Sequence, residues 1–167
     1  MKLKIAGIVQ ESIVDGPGIR YVIFTQGCPH NCKGCHNPDT HSLAGGTLVD
    51  IDEIIDEIKS NDIISGVTFS GGEPFLQPLP LSYLAEQLHL SGYNIVCYTG
   101  YTYEQLLEME NINSDISRLL SSIDILIDGP FILEKKSMDL KFKGSSNQRI
   151  IDVVQSSKNN NVVIADI

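Results

Sequence analysis

Three of the four cysteines fall within one eight-residue run, which reads Cys28-Pro-His-Asn-Cys32-Lys-Gly-Cys35. Thiolates are the ligands that iron-sulfur clusters prefer, and such clusters normally take four of them. The run supplies three, so one iron of a four-iron cluster would have no protein ligand. An iron with an open position can bind a reactant, as a catalytic zinc does through its open position. The run therefore indicates chemistry at a metal centre and not structural support alone.

A zinc site is the alternative for the same cysteines. Three thiolates and one imidazole would give zinc its four ligands, and the histidines near the run are His30, His36 and His41. Zinc modules favour two separate pairs of closely spaced ligands, whereas the three cysteines here share one run with overlapping C-x3-C and C-x2-C spacings. The spacing favours an iron-sulfur cluster and leaves zinc open. The fourth cysteine, Cys97, lies in an apolar strand pattern and is expected in the core.

The composition fits one globular domain spanning residues 1–167, because 42% of the residues are hydrophobic and can form a core. A net charge of −9 argues against a surface built for nucleic acid. No stretch approaches the roughly 20 apolar residues that a membrane span requires, and the first residues lack the apolar region of a signal peptide. We therefore expect a cytoplasmic protein that binds neither nucleic acid nor membranes and keeps its cysteines reduced.

Strands and helices alternate in the hydrophobic pattern, which indicates βα units and a parallel sheet. Apolar runs predict four strands, at residues 20–26, 66–70, 94–98 and 123–127. Amphipathic spacing and capping signals predict four helices, at residues 50–59, from 80 to about 91, from 102 onward, and at 114–121. A complete eight-stranded barrel usually needs over about 200 residues. This α/β chain is therefore expected to form only a partial barrel.

Four motifs follow the C-terminal ends of these predicted strands. They are the cysteine run, residues 71–74, Thr99-Gly100 and Asp128-Gly129. In parallel α/β barrels and open sheets alike, the site lies beyond the carboxyl ends of the strands. We therefore expect the four motifs to face one cavity.

The motifs resemble those of the radical S-adenosylmethionine (SAM) superfamily, whose signature is CxxxCxxC. Three segments look like the activating enzymes of glycyl radical proteins: Asp15-Gly-Pro-Gly-Ile-Arg20, Cys35-His-Asn-Pro38 and Ser70-Gly-Gly-Glu-Pro74. The CPHxCxGC form and three further segments are similar to the activating proteins of anaerobic (class III) ribonucleotide reductase. These segments are Tyr98-Thr-Gly-Tyr-Thr-Tyr103, Ile127-Asp-Gly-Pro-Phe131 and Gly144-Ser-Ser-Asn-Gln-Arg149. The resemblance covers nearly the whole chain.

The resemblance implies a shortened, laterally open (βα) barrel of the radical SAM type. It implies a [4Fe-4S] cluster held by Cys28, Cys32 and Cys35, whose fourth iron chelates SAM. Reductive cleavage of SAM would give a 5'-deoxyadenosyl radical, which would take a hydrogen atom from a glycine of the anaerobic ribonucleotide reductase catalytic subunit. The electron would come from a donor such as a flavodoxin or ferredoxin.

Further site residues follow from the same resemblance. SAM contacts are expected from Gly34, Cys35, His36, Gly71, Gly72, Glu73, Thr99 and Asp128. Glu73 would accept a hydrogen bond from the SAM ammonium group, directly or through its neighbours, and Asp128 could bind a monovalent cation. The partner's glycine-bearing segment would be received by Asp15, Gly16, Pro17, Gly18 and Arg20. Residues 144–149 would contact SAM or the partner.

Gly34 helps to distinguish an activase of the reductase from an activase of formate lyase. The superfamily tends to place an aromatic residue before the last cysteine, and formate-lyase activases usually keep it, so Gly34 fits the reductase subgroup. An activase of formate lyase or of another glycyl radical enzyme is the alternative enzyme. A non-catalytic zinc or iron-sulfur module is the alternative from a different class of protein.

Overall fold

Seven strands form one mixed sheet in the computed structural model, which describes residues 1–167. The strands are β1 (Lys2–Ser12), β2 (Arg20–Thr25), β3 (Thr47–Asp50), β4 (Gly66–Gly71), β5 (Asn94–Tyr98), β6 (Ile125–Asp128) and β7 (Arg149–Asp152). Their order across the sheet is β3-β1-β2-β4-β5-β6-β7. The strands β2, β4, β5 and β6 run parallel, whereas β1 is antiparallel to both its neighbours and β7 is antiparallel to β6. The protein therefore has a parallel centre with antiparallel flanks.

Five α-helices accompany the sheet. They are α1 (Ile51–Lys59), α2 (Pro78–Leu90), α3 (Tyr103–Met109), α4 (Ser114–Ser121) and α5 (Val153–Asn159). Asp50 caps α1 by accepting a hydrogen bond from the amide of Asp52, and a capping box between Thr102 and Gln105 starts α3. None of the helices combines the length and the apolar character needed to cross a membrane.

The helices cover one face of the sheet. Successive residues of a strand point to opposite faces, and in β2 Tyr21 and Ile23 join the hydrophobic core whereas Phe24 lines a cavity. In β5, likewise, Cys97 is in the core and Tyr98 faces the cavity. The core is one cluster of 27 buried residues that unites these strand residues with the apolar stripes of the helices. The opposite face is thus left for the site.

The four predicted strands and four predicted helices are all present, with ends displaced by a few residues. The last predicted strand begins at Ile125 instead of Ile123, and α2 begins two residues before Pro80. The α/β class is confirmed. The expectation for Cys97 is also confirmed, because the side chain is fully buried and its burial raises the pKa of the thiol well above the ordinary value. The flanking strands β1, β3 and β7 are additions to the prediction.

Candidate active site

A cavity of about 660 Å³ opens at the C-terminal ends of the parallel strands. All four predicted strand-end motifs contribute to its lining. The residues of those motifs that line it are Cys28, His30, Cys32, Cys35, Gly71, Gly72, Thr99, Gly100 and Gly129, and His36 directly after the cysteine run lines it too. The expectation that the motifs face one cavity is therefore confirmed.

The cysteines lie on one loop whose two ends are hydrogen-bonded together. The amide of Gly27 donates to the carbonyl of Thr40 at 2.6 Å, and the amide of Cys28 donates to the carbonyl of His41 at 3.2 Å. A short 3-10 turn at Pro38–Thr40 closes the loop. These bonds make residues 27–41 a closed loop, so the positions of the three thiols are coupled to the end of β2.

The three clustered thiols are free and half-buried. Burial raises the pKa of the Cys28 thiol, and a hydrogen bond from the backbone of His30 opposes that rise. No three His, Cys, Asp or Glu side chains converge closely enough to hold a single metal ion. A four-iron cluster takes each thiolate on a different iron, so three thiols on one loop are a donor set that fits such a cluster.

Glu73 joins the cysteine loop to two strand ends. Its carboxylate is fully buried, with 0% exposure, and four groups contact it. These groups are the amide of Phe75 at 3.0 Å, the hydroxyl of Thr99 at 2.9 Å, the amide of Gly100 at 2.9 Å and Nε2 of His30 at 2.5 Å. Both carboxylate oxygens act as acceptors for the neighbouring amides and the hydroxyl, and a His30 ring with its proton on Nε2 adds a further donor. Glu73 therefore fixes the loop after Cys28 against the ends of β4 and β5.

The buried position of the Glu73 carboxylate affects its expected contact with SAM. The carboxylate lies behind the cavity lining, and both of its oxygens already accept hydrogen bonds. The geometry favours the indirect alternative, in which Glu73 positions Thr99 and the glycines around it. His30 is the residue that sequence reasoning missed, because the sequence offers it only as a possible zinc ligand and does not show its contact with Glu73.

Close packing explains two of the glycines at these strand ends. A Cβ atom on Gly100 would lie 2.4 Å from Cδ2 of His30, and one on Gly72 would lie 2.2 Å from the carbonyl oxygen of Gly27. Tyr101 also contacts the His30 ring edge-on, with centroids 4.5 Å apart. The absence of side chains at Gly72 and Gly100 thus lets the cysteine loop approach the sheet.

Asp128 has hydrogen-bond partners within the protein itself. Its side chain is 1% exposed and does not line the cavity. Arg149 donates to it from Nη2 at 2.6 Å and from Nε at 3.1 Å, and the amide of Tyr103 donates at 2.8 Å. Hydrogen bonding to Asp128 raises the pKa of Arg149. The carboxylate of Asp128 therefore already binds a cationic group of the protein itself, and its expected contacts with SAM and a monovalent cation stay predictions.

Residues 129–148 connect β6 to β7 and form the outer wall of the cavity; we call them the strap. Gln148 closes the strap at its root, because Oε1 accepts from the amides of Gly144 and Ser145 and Nε2 donates to the carbonyl of Gly129. Six residues between 136 and 143 line the cavity: Lys136, Ser137, Met138, Leu140, Phe142 and Lys143. The strap also carries Phe131, whose ring centroid is 4.9 Å from that of His36. The predicted contact stretch 144–149 therefore covers the C-terminal root of the strap and the first residue of β7.

The loop expected to receive the partner is only partly available. Asp15 lines the cavity, and its carboxylate accepts from Ser12 at 2.6 Å. Arg20, however, is fully buried and donates to Thr68 and to the carbonyl of Pro17, and burial lowers its pKa to about 10. The guanidinium group holds the loop in shape, and the expected contact of Arg20 with a partner stays a prediction.

Gly34 is also placed away from its expected contact. It is exposed, has a left-handed φ of +74°, and does not line the cavity. A Cβ atom there would lie 2.9 Å from Leu133 of the strap. In this structure Gly34 allows the cysteine loop and the strap to approach each other.

The fold and site define an α/β iron-sulfur protein with a three-cysteine loop. Residues 14–151 match the protein family described as "4Fe-4S single cluster domain". An anaerobic ribonucleoside-triphosphate reductase-activating protein from Vibrio cholerae is 37% identical over an alignment of 147 residues that covers 83% of this chain and 90% of the relative. The chain belongs to the family of anaerobic ribonucleoside-triphosphate reductase-activating proteins.

Two further relatives show the breadth of the likeness. The protein of the same description from Escherichia coli is 33% identical over 144 residues, covering 81% of this chain and 90% of that one. A pyruvate formate-lyase-activating enzyme from Clostridium pasteurianum is 39% identical over 114 residues, covering 63% of this chain and 48% of the enzyme. Among solved structures, QueE from Escherichia coli reaches a TM-score of 0.48 at 20% identity, over 61% of this chain and 54% of that chain, which is too slight to support a conclusion.

Proposed function

We propose that this protein is a radical SAM activase that generates a glycyl radical on anaerobic ribonucleoside-triphosphate reductase. The observation that carries the proposal is one cavity lined by three free thiols and by the glycine-rich ends of β4 and β5, in a chain of this family. When bound, the [4Fe-4S] cluster and SAM supply the electron transfer and the 5'-deoxyadenosyl radical.

The residues of the chain hold and orient these groups. Cys28, Cys32 and Cys35 would bind three irons as thiolates and leave the fourth iron to SAM. Gly71 and Gly72 line the cavity, and the absence of side chains there lets their backbone pack against Thr25 and Gly27 at the end of β2. His36, Thr99 and the indirectly acting Glu73 complete the proposed SAM site. Precise placement of this kind is the protein's main contribution when a cofactor carries the chemistry.

We infer that the sheet is a shortened, laterally open (βα) barrel. Four parallel strands carry helices on one face and a cavity on the other, and antiparallel strands end the sheet on both sides. A sheet of this kind does not close around its cavity. A flexible polypeptide could then reach the site from the side.

The mouth of the cavity supports a protein substrate. Val14 on the Asp15 loop is 70% exposed and Met138 on the strap is 89% exposed, and both line the cavity. Apolar side chains that flank a site and remain in water are typical of a surface covered by a partner. We propose that the glycine-bearing segment of the reductase catalytic subunit passes between them, over Asp15 and the backbone of 16–18. A flavodoxin or ferredoxin would supply the electron.

The test is an anaerobic reaction of the reconstituted protein with SAM, a reductant and the reductase. We expect a glycyl doublet in electron paramagnetic resonance, with 5'-deoxyadenosine formed in proportion. Cys32→Ser should abolish both, whereas Cys97→Ala, a change at a cysteine buried in the core, should keep both. Stoichiometric zinc in the purified protein, with no deoxyadenosine formed, would overturn the proposal.

A formate-lyase activase is the second candidate, because of the 39% identity to the Clostridium pasteurianum enzyme over 114 residues. The cofactors and the chemistry would be the same, and only the partner would differ. Replacing the reductase by formate lyase in the same reaction separates the two candidates. A doublet that arises on formate lyase and not on the reductase would favour the second.

A further inference from the structure

His41 touches both ends of the cysteine run. Its backbone carbonyl accepts the hydrogen bond from the amide of Cys28, and its ring Nε2 lies 3.3 Å from Sγ of Cys35. Its own amide donates to the carbonyl of Pro38 at 3.3 Å, directly after the 3-10 turn. The backbone around the turn thus fixes where the imidazole lies, and it lies against a sulfur expected to bind iron.

The other two histidines of the loop have different partners. His30 bonds Glu73, and the ring of His36 packs beside Phe131. The sulfur of Cys35 receives one other polar contact, from the amide of Asn37 at 3.4 Å. His41 therefore contributes the side-chain hydrogen bond to this thiol, and the other contact comes from backbone.

We propose that His41 is a positioning residue that donates a hydrogen bond from Nε2 to the thiolate of Cys35 and so raises the reduction potential of the cluster. The inference rests on the proposed cluster. A thiolate ligand carries more negative charge when the cluster holds one more electron, so a donated hydrogen bond stabilises the reduced form more than the oxidised form. Hydrogen bonds to the ligand sulfurs are one of the factors that set the potentials of such clusters.

The test compares His41→Phe with His41→Gln, in which an amide can still donate. A redox titration followed by absorbance and by electron paramagnetic resonance gives the midpoint of the cluster. We expect His41→Phe to lower the equilibrium constant for reduction by about 5-fold, which corresponds to one ordinary hydrogen bond. His41→Gln should recover most of the loss. His89→Phe is the matched control. His89 lies in the last turn of α2, bonds Asp124 and does not line the cavity.

Iron and sulfide analysis separates this inference from the proposed function. If the wild-type protein takes up no cluster, the proposed function fails. If His41→Phe holds a full cluster with an unchanged midpoint, or if His89→Phe shifts the midpoint equally, the role of His41 is wrong.

A second measurement on the wild-type protein does not depend on a stable variant. Isotopic labelling of histidine nitrogen should reveal a weak coupling to the reduced cluster in pulsed electron paramagnetic resonance. The absence of any histidine coupling would contradict the hydrogen bond even where His41→Phe does not hold iron.

Discussion

The two walls of the cavity are held in different ways. The inner wall, made of the cysteine loop 27–41 and the strand ends 71–73 and 99–101, is joined by the buried carboxylate of Glu73. The strap, by contrast, is fastened at its root by Gln148 and is joined to the inner wall by a bond from the Tyr98 hydroxyl to the carbonyl of Phe142 and by the contact of Phe131 with His36. Met138 near its tip is 89% exposed. The wall that would hold the reacting groups is thus joined at a buried carboxylate, and the wall that would face a partner carries an exposed tip.

The difference between the two walls should appear in the free energy of unfolding of variants. A buried donor that loses its acceptor costs the full desolvation of that group, whereas an exposed side chain that is removed is replaced by water. Changes to the inner wall should therefore affect stability and cluster binding together. Changes to the strap's tip should affect encounters with the partner alone.

The largest effect is expected from Glu73→Ala. The substitution leaves the hydroxyl of Thr99, the His30 ring and two amides without their acceptor, and it should lower the free energy of unfolding of the metal-free protein by about 3 kcal/mol. Denaturant unfolding measures that change, and iron analysis after reconstitution should show a reduced cluster content. Glu134→Ala is the matched control, because Glu134 is an exposed glutamate on the strap. Equal losses in the two variants would remove the distinction between the walls.

A smaller effect is expected from Gly100→Ala, which tests the packing of the inner wall. The added methyl group would lie 2.4 Å from the His30 ring, so the ring must move away from Glu73. We expect a loss of roughly 2 kcal/mol in the free energy of unfolding. Gly7→Ala in β1 is the control, because a Cβ atom there meets nothing within 4 Å.

A double variant sharpens the same test. Because Gly100→Ala acts through the His30 ring, combining it with His30→Ala should cost less than the sum of the two separate losses. Strictly additive losses would show that the methyl group acts on something other than this ring.

The sequence predicted much of the inner wall and little of the strap. The strands β2, β4 and β5 are continuous apolar runs, and the motifs at their ends carry recognisable residues. The contact between His30 and Glu73 joins residues 43 positions apart, which one sequence cannot reveal. The strap has no periodic pattern, because side-chain bonds such as that from Gln148 to the carbonyl of Gly129 hold it.

The flanking strands were missed for a related reason. β1 runs from Lys2 to Ser12 with few fully buried positions, and its pairing with β3 depends on residues that lie far along the chain. Burial on both faces gives a central strand its signal, and an exposed strand near a sheet edge lacks it.

A loss of stability smaller than that of Gly100→Ala, and confined to the strap, is expected from Gln148→Ala. The change removes the acceptor for the amides of Gly144 and Ser145 and the donor to Gly129. We expect about 1 kcal/mol of lost stability and faster hydrogen exchange at residues 129–148, with unchanged exchange at residues 71–73 and 99–101. Faster exchange in both walls would mean that they open as one unit.

The smallest effect on stability, and the sharpest test of the comparison, is expected from Met138→Ser. The side chain is almost fully exposed, so the free energy of unfolding should change by less than about 0.5 kcal/mol. If the mouth receives a polypeptide, the KM for the reductase should rise while deoxyadenosine formation without the reductase stays unchanged. Ile112→Ser is the matched control, since Ile112 is 91% exposed and does not line the cavity. A lower rate of deoxyadenosine formation without the reductase would show instead that Met138 acts on the cofactor side, because that reaction needs no partner at the mouth.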